Sequence, residues 1–225
     1  MWLIDTTTFQ LRSFQGKPPP YAILSHRWGN EHEEVSFQEW RAGETDQFYH
    51  IASRPGFIKI SEACSEAKRD RLQYLWVDTN CIDKSSSADL SEAINSMYRY
   101  YSDSVICYSY LGDVHDASTP TPSPSETDGN IEFSRSAWFT RGWTLQELLA
   151  PEDLVFFTSS WTKIGTKAEL KNTISTITGI PPQHLHRPHL RDATISCRMS
   201  WVSNRVTTRH EDIAYCMLGI FNINM

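Results

Sequence analysis

The segment YLWVDTNCID, residues 74–83, predicts the fold of this chain of 225 residues. Its first four residues form a short apolar run, which is typical of a strand buried inside a sheet. The run ends at Asp78, where a polar loop begins. Residues 57–72, before it, carry apolar side chains at helical spacing, and a second helical pattern starts after it at Ser87. The segment is therefore predicted to be a central strand between two helices.

Further apolar runs continue this alternation in both directions. Residues 21–25 and 105–111 predict two more buried strands, and residues 154–157 predict a fourth. Two consecutive strand–helix–strand steps imply parallel neighbours joined by right-handed crossovers. Residues 1–5 predict a short edge strand. Later helices are predicted at residues 170–177, 199–205 and 212–221. Together these patterns predict an α/β fold with a parallel sheet, flanking helices and a helical C-terminal region.

Composition and charge exclude several classes of protein. Hydrophobic residues make up 40% of the chain and charged residues 21%, a balance that supports one globular core. The net charge of −6 disfavours a general nucleic-acid binder, which needs a basic face. The sequence has neither an apolar run of transmembrane length nor a secretory signal. Its five scattered cysteines are typical of free thiols in a reducing compartment, which predicts a cytoplasmic protein without a membrane partner.

The familiar metal and nucleophile patterns are weak in this chain. The zinc motif H-E-x-x-H is incomplete at both of its candidate positions. His184, His186 and His189 follow a Pro-Pro turn and could hold a metal, but no thiolate or carboxylate has suitable spacing, so a surface loop is favoured and no metal site is predicted. Cys81 could act as a nucleophile only beside a histidine base, so a structural thiol is favoured.

Polar side chains stand where the predicted strands end. They are Ser25, His26, Arg27, Asp78 and Asp83. The carboxyl ends of parallel strands share one edge of a sheet, so these groups can converge there. Taken singly, Asp78 is more typical of a turn cap and Arg27 of a solvated charge. Their common position favours a ligand site instead.

The segment RGWTLQELLAP, residues 141–151, adds a carboxylate to this edge. Its leucines lie at helical spacing, and Pro151 predicts the end of the helix at the residue before it. Trp143 and Glu147 stand four residues apart, so they lie on one side of the helix. In isolation this would be an amphipathic helix with Glu147 facing water. Following the third strand, it places Glu147 near the predicted site.

Two stretches leave alternatives open. Residues 114–130 are rich in Ser, Thr, Pro and Asp, which predicts a loop that is either a flap beside the site or an inert insertion. The sequence stops directly after the apolar residues 214–223. We therefore expect this chain to be one domain of a longer polypeptide.

Three blocks of the sequence resemble the fungal heterokaryon incompatibility (HET) domain. They are YAILSHRWG at residues 21–29, LWVDTNCIDK at residues 75–84 and RGWTLQEL at residues 141–148. The segment RHEDIAYCMLGIF, residues 209–221, resembles the end of the family in the subgroup that precedes nucleotide-binding and repeat domains. The resemblance implies a single HET domain over residues 1–225, in the N-terminal part of a longer protein. Such domains trigger programmed cell death when incompatible fungi fuse.

The HET family is in turn regarded as a distant relative of the flavodoxin-like TIR domain of innate immunity. WTLQEL, residues 143–148, resembles the W-C-L-x-E-L segment of plant TIR domains, with Thr144 in place of Cys. LSHR, residues 24–27, resembles the end of the first TIR strand. This implies a TIR-like core of about residues 20–158 and a helical extension of about residues 159–225, which has no TIR counterpart.

The TIR resemblance implies an NAD nucleosidase in which Glu147 is catalytic. NAD is then the substrate, no cofactor is needed, and self-association is expected. Trp143 or Trp28 would stack on a ring of the dinucleotide, Arg27 would face its pyrophosphate, and Asp78 would hold a ribose hydroxyl or a backbone turn. The implied substrate-binding residues are Ser25, His26, Arg27, Trp28, Asp78 and Trp143.

Two other functions remain open from the sequence. The first is a non-enzymatic module for homotypic signalling and assembly, in which Glu147 is only a helix-face residue. The second is a transferase or binder that acts on nucleosides or nucleic acid, of which the nucleic-acid version is disfavoured by the net charge of −6.

Overall fold

The computed structural model describes residues 1–116 and 128–223. It shows an α/β fold, as predicted, with a mixed sheet in the strand order β2-β1-β4-β3-β5-β6-β7 and helices beside it, consistent with a flavodoxin-like architecture. The chain divides into two compact units. The first consists of Met1–Leu24 and Trp28–Ile106, and the second of Ser25–Arg27 and Cys107–Met225. The predicted boundary at about residue 158 stays a prediction.

The first unit holds four strands and three helices. In chain order they are β1 (Trp2–Asp5), β2 (Leu11–Ser13), β3 (Tyr21–His26), α1 (Phe37–Asp46), α2 (Pro55–Arg69), β4 (Tyr74–Trp76) and α3 (Ser87–Asp103). The last two residues of β3 belong to the second unit. The predicted strands at residues 21–25 and 74–77 and the helices around residue 74 are thereby confirmed.

The sheet is mixed rather than parallel throughout. Strands β3 and β4 are parallel, but β1 pairs antiparallel with both β4 and β2. Strand β1 is therefore an interior strand rather than the predicted edge strand. The link between β1 and β2 is too short for a crossover, so β2 returns antiparallel. Phe9, within that link, takes the left-handed conformation with φ of 58°.

Local sequence explains the helices of this unit. Helix α1 begins with a capping box in which Ser36 and Glu39 satisfy each other's backbone N–H groups. Helix α2 starts at Pro55, whose missing N–H is not needed in a first turn. Gly56 follows because a Cβ there would lie 2.5 Å from the backbone oxygen of Glu33. These features fix where both helices start.

The second unit holds three strands, five α-helices and three 3-10 helices among its described residues. They are β5 (Ile106–Tyr110), α4 (Asp128–Arg135), a 3-10 helix (Ala137–Thr140), α5 (Thr144–Leu149), β6 (Leu154–Phe157), β7 (Lys163–Thr166), α6 (Lys171–Thr178), two 3-10 helices (Pro182–Leu185 and Arg187–Asp192), α7 (Ile195–Ser200) and α8 (Asp212–Phe221). Strands β5 and β6 are parallel, whereas β6 and β7 are antiparallel.

Most predicted elements of this unit are confirmed. Helix α6 ends at Gly179, which takes φ of +70° as a left-handed cap. The helix predicted at residues 199–205 is wrong, because Thr194 caps a helix that starts earlier and ends at Ser200. The end of the predicted loop at residues 114–130 belongs to α4, and residues 117–127 lie outside the described residues. Across the described ranges, every helix is too short or too polar to cross a bilayer.

Candidate functional site

Helix α5 carries Glu147 into the interior of the second unit. All six residues from Thr144 to Leu149 are buried, and Pro151 follows two residues after the helix ends. Gly142, just before the helix, packs against Thr207, and a Cβ at that position would lie 2.5 Å from the Thr207 Cγ2 atom. Its N–H donates to the Val206 carbonyl at 2.8 Å. The helix start is thus held by the segment that precedes α8.

The carboxylate of Glu147 is the acceptor in a chain of buried hydrogen bonds. Ser25 Oγ donates to Glu147 Oε2, and Trp138 Nε1 donates to Ser25 Oγ at 2.8 Å. Ser25 is fully buried and Glu147 is only 7% exposed. A serine hydroxyl has one hydrogen, so accepting from the indole leaves that hydrogen for the carboxylate. The arrangement holds the Glu147 carboxylate in one orientation.

Arg205 approaches the same helix from the chain that follows α7. It is 6% exposed, and its Nη1 donates to the Arg141 carbonyl at 2.8 Å and to Thr144 Oγ1 at 2.9 Å. Burial lowers the pKa of Arg205 to about 10, an effect that Cys216 and Glu147 oppose. The guanidinium therefore still carries its charge at neutral pH.

The charge of Glu147 contributes to the raised pKa values of two buried thiols, Cys107 and Cys216. Burial raises the pKa of Cys107 well above its ordinary value, and the charge of Glu147 adds to this shift. Burial also raises the pKa of Cys216, with further contributions from Asp212 and Glu147. Both thiols therefore stay protonated and neutral at physiological pH.

Trp143 lies one turn before Glu147 and contacts α8. Its indole Nε1 donates to Asp212 Oδ2 at 3.1 Å. Gln146, also on α5, donates through Nε2 to the Tyr215 carbonyl at 3.1 Å. These bonds attach α5 to α8. The stacking role of Trp143 stays a prediction.

Two other predicted site residues lie at the end of β3. His26 is its last residue and is buried, with 5% exposure. Arg27 follows directly and is exposed. Both positions agree with a strand end that opens into a polar loop, and neither residue's role is tested by this geometry.

The first unit brings together Trp28 and Asp78. The indole Nε1 of Trp28 donates to Asp78 Oδ2 at 2.8 Å, and the Lys84 Nζ atom lies 3.7 Å from the centre of the indole ring. Trp28 remains 41% exposed, so part of its surface faces solvent. A hydrogen bond and a cation–π contact thus fix an accessible aromatic ring in one orientation.

Asp83, the other predicted carboxylate of this unit, belongs to a turn. It accepts hydrogen bonds from Ser85 Oγ at 2.6 Å and from Gln38 Nε2 at 2.5 Å. The hydrogen bond from Ser85 lowers the pKa of Asp83. These contacts are those of a residue that organises the start of α3.

Two histidines of the cluster, His184 and His189, contact oxygen atoms of their own loop. His184 Nδ1 lies 2.7 Å from the His189 carbonyl, and His189 Nδ1 lies 3.1 Å from Asp192 Oδ2. Among the residues that the structure describes, no group of three or more His, Cys, Asp or Glu side chains could hold a metal ion. Burial raises the pKa of the Cys81 thiol to about 12, so it is not poised as a nucleophile at neutral pH.

Comparison with known proteins assigns the family. Residues 21–128 match the sequence profile described as Heterokaryon incompatibility protein (HET). This part of the chain belongs to the HET family. The vegetative incompatibility protein HET-E-1 of Podospora anserina is 43% identical to the chain over 210 residues. That match covers 93% of this chain and 15% of HET-E-1, so the chain spans a small part of a much longer relative. No solved structure matches the chain.

Within this HET chain, the predicted residues fall into two sets. Ser25 meets Glu147 in the second unit, and Trp28 meets Asp78 in the first. Sequence reasoning missed Trp138 and Arg205. A lone arginine and an indole N–H carry no local signal that they will meet a distant carboxylate, so only the folded chain identifies them.

Proposed function

We propose that this HET chain acts in fungal vegetative incompatibility and triggers cell death by cleaving NAD when it self-associates. The proposed catalytic residue is Glu147. The observation that supports it is a buried carboxylate held by Ser25 at the end of β3. The carboxyl ends of parallel strands are where α/β proteins bind ligands. The likeness of residues 143–148 to the catalytic segment of TIR domains supports the choice of substrate.

The proposed reaction is hydrolysis of the bond between nicotinamide and ribose. The electron pair of the C1′–N bond leaves with nicotinamide, which departs as a neutral ring and needs no strong general acid. Positive charge develops on the ribose, as in glycoside cleavage. Water then bonds to C1′ and loses a proton, which gives ADP-ribose, nicotinamide and one proton.

A single carboxylate can supply a large share of the acceleration. At roughly 4 Å and an effective dielectric constant near 20, opposite unit charges attract by about 4 kcal/mol. Felt mainly in the transition state, that attraction corresponds to a rate increase of about a thousandfold. Glu147 would stabilise the ribosyl cation in this way, while Ser25 fixes its orientation.

The remaining site residues have supporting roles in this proposal. Trp28 offers an oriented and partly exposed ring on which a base can stack. Arg27, exposed after β3, would face the pyrophosphate, and Asp78 would hold a ribose hydroxyl in addition to the Trp28 indole. His26 would complete the substrate contacts. The reaction needs NAD as substrate and no separate cofactor, and it would take place in the cytoplasm, where NAD is available.

Substrate access requires a change around Glu147. With 7% of its surface exposed, Glu147 cannot contact a ribose in the conformation described here. We assign the opening to self-association, which would reshape the contacts between α5 and α8. Further domains of a longer protein would then control activity by controlling assembly.

The test is nicotinamide release by the purified chain. Wild type is fused to an inducible oligomerisation tag, incubated with NAD and assayed by chromatography with and without the inducer. Glu147→Gln keeps the shape and removes the charge, and we expect it to lower the rate about a thousandfold. The control is Glu152→Gln, the same change at an exposed glutamate five residues later, which should leave the rate unchanged. Equal rates in wild type and Glu147→Gln would exclude Glu147 as the catalytic carboxylate.

A second function, a non-enzymatic assembly module, is favoured by one observation. The carboxylate of Glu147 faces Ser25 inside the protein, as a structural residue would. If this is its role, oligomerised wild type releases no nicotinamide, and Glu147→Gln kills fungal cells as efficiently as wild type when both fold equally well.

A further inference from the structure

The guanidinium of Arg205 is buried beside the helix that carries the proposed catalytic residue. One of its amino groups, Nη1, bonds to two oxygens at the start of α5, those of Arg141 and Thr144. The other, Nη2, is buried and has no hydrogen-bond partner within residues 1–116 and 128–223. Taking a charged guanidinium out of water is costly, and a donor left unsatisfied adds to that cost.

The placement of Arg205 relative to Glu147 follows from the helix. Thr144 and Glu147 stand three residues apart on α5, so their side chains lie on the same face. Arg205 donates to the Thr144 hydroxyl at 2.9 Å, and the charge of Glu147 partly opposes the lowering of the Arg205 pKa by burial. The other groups around Glu147 come from different elements: Ser25 of β3, Cys107 of β5, Trp138 of the 3-10 helix and Cys216 of α8.

Arg205 is one of two buried cations that the structure describes in this part of the unit. The other is Lys167, whose Nζ donates to the Leu148 carbonyl at 3.3 Å and whose charge, like that of Glu147, acts on Cys107. Ser25 and Trp138 are uncharged, and the two thiols stay protonated because burial raises their pKa values. A buried carboxylate is stabilised in its charged form by hydrogen bonds and by a nearby positive charge. Ser25 supplies a hydrogen bond to Glu147, and Arg205 supplies a positive charge on the same side of α5.

We propose that Arg205 is a positioning residue for Glu147, which holds the first turn of α5 in place and keeps a positive charge beside the buried carboxylate. This inference rests on the proposed function of Glu147. It assigns Arg205 a role through another residue rather than direct contact with the substrate. Its loss should therefore lower kcat and leave KM nearly unchanged.

The experiment compares three variants. Arg205→Met keeps an unbranched aliphatic chain and removes the charge and both hydrogen bonds. Arg205→Lys keeps the charge and removes the planar fork. The matched control is Arg198→Met, which removes another guanidinium of the same unit, one that bonds to the Ile220 carbonyl at 2.9 Å and packs over Phe221. Thermal unfolding measures the structural cost of each change.

Two readouts then separate positioning from stability. The first is the titration of the Glu147 carboxyl, followed by carbon NMR. Its signal is assigned as the one that is missing from the spectrum of Glu147→Gln. We expect Glu147 to take up its proton at a higher pH in Arg205→Met, with no change in Arg205→Lys or Arg198→Met. The second is nicotinamide release, where kcat should fall at least about tenfold in both Arg205 variants while KM stays within about threefold.

The outcomes decide the proposal. An unchanged Glu147 titration in Arg205→Met, or a wild-type kcat in Arg205→Lys, would overturn it. If Arg205→Met does not fold, the kcat of Arg205→Lys decides the positioning role by itself. The titration does not require turnover, so its result stands even if wild type releases no nicotinamide. In that case the proposed reaction fails, and the coupling between Arg205 and Glu147 is judged by the titration alone.

Discussion

Ser25 donates its hydroxyl hydrogen to the carboxylate of Glu147, a residue 122 positions further along the chain. The bond joins the end of β3 to helix α5. Trp138 completes the arrangement by donating to the same hydroxyl oxygen at 2.8 Å. Three side chains from separate elements are therefore mutually satisfied inside the second unit, and a change in any one of them should be felt by the other two.

Ser25→Ala should destabilise the fold and disorder Glu147. The change removes the donor to a buried carboxylate and leaves the Trp138 indole without its acceptor. Leaving buried polar groups unsatisfied costs about 1–3 kcal/mol, so the free energy of unfolding in urea should fall by that amount. If the proposed function is right, nicotinamide release should fall with it.

The control for this prediction is Ser203→Ala. Ser203 is exposed and donates only a local bond to the Ser200 carbonyl at 2.7 Å. Its removal should change the free energy of unfolding by less than about 0.5 kcal/mol. Equal costs for the two serine variants would mean that the bond between Ser25 and Glu147 contributes little.

The central strands could be predicted from sequence because each is a continuous apolar run. Strand β3, for example, is buried along its whole length. Strand β2 could not be predicted in this way, because two of its three residues, Arg12 and Ser13, are exposed. Helix α1 lies outside the predicted helices, although its capping box, Ser36 followed by Glu39, is visible in the sequence. Burial on both faces of a strand is thus visible as a continuous apolar run, whereas a short and largely exposed strand leaves no such pattern.

Part of the candidate site could be predicted from the sequence, namely the proximity of Ser25 and Glu147, whereas the contact of Arg205 could not. The rule that the carboxyl ends of parallel strands share an edge predicts that Ser25 lies near the helix of Glu147. The same rule could not find Arg205, because Arg205 reaches α5 from a turn after α7 and no periodicity links the two. Contacts made by irregular segments depend on the tertiary fold, and a single sequence does not encode them in a local pattern.

Gly142→Ala should destabilise the second unit through a steric clash. The new Cβ would lie 2.5 Å from Thr207 Cγ2 and 3.0 Å from Cys216 Sγ, closer than normal contact. Overpacking of this kind costs about 1–3 kcal/mol, measured as a loss in the free energy of unfolding. Thr207→Ser removes the clashing methyl group, so the double variant should recover much of the loss. A double variant as unstable as Gly142→Ala alone would show that the clash is not with Thr207.

Asp78→Ala should release the indole of Trp28. The change removes Asp78 Oδ2, which accepts from the Trp28 Nε1–H group at 2.8 Å. The Trp28 ring is partly exposed, so water can then reach this group. In a proton–nitrogen correlation spectrum, the indole N–H proton of Trp28 should exchange faster with water. Its chemical shift should move towards that of a solvent-exposed indole. Trp40 is the internal reference, since its buried indole donates to the Phe9 carbonyl at 2.7 Å and should not change. A shift of both indole signals would indicate a general loss of structure instead.

The buried thiol of Cys81 should make the stability of the fold depend on alkaline pH. Burial raises its pKa to about 12, whereas an unfolded cysteine titrates near 8.5. The folded state thus retains its proton when the unfolded state loses it, so the stabilisation is complete below about pH 8.5 and is lost as pH rises towards 12. Between pH 9 and 11, wild type should lose about 1.4 kcal/mol of unfolding free energy per pH unit more than Cys81→Ala does. Parallel pH profiles for wild type and Cys81→Ala would show that Cys81 does not retain its proton in the folded state.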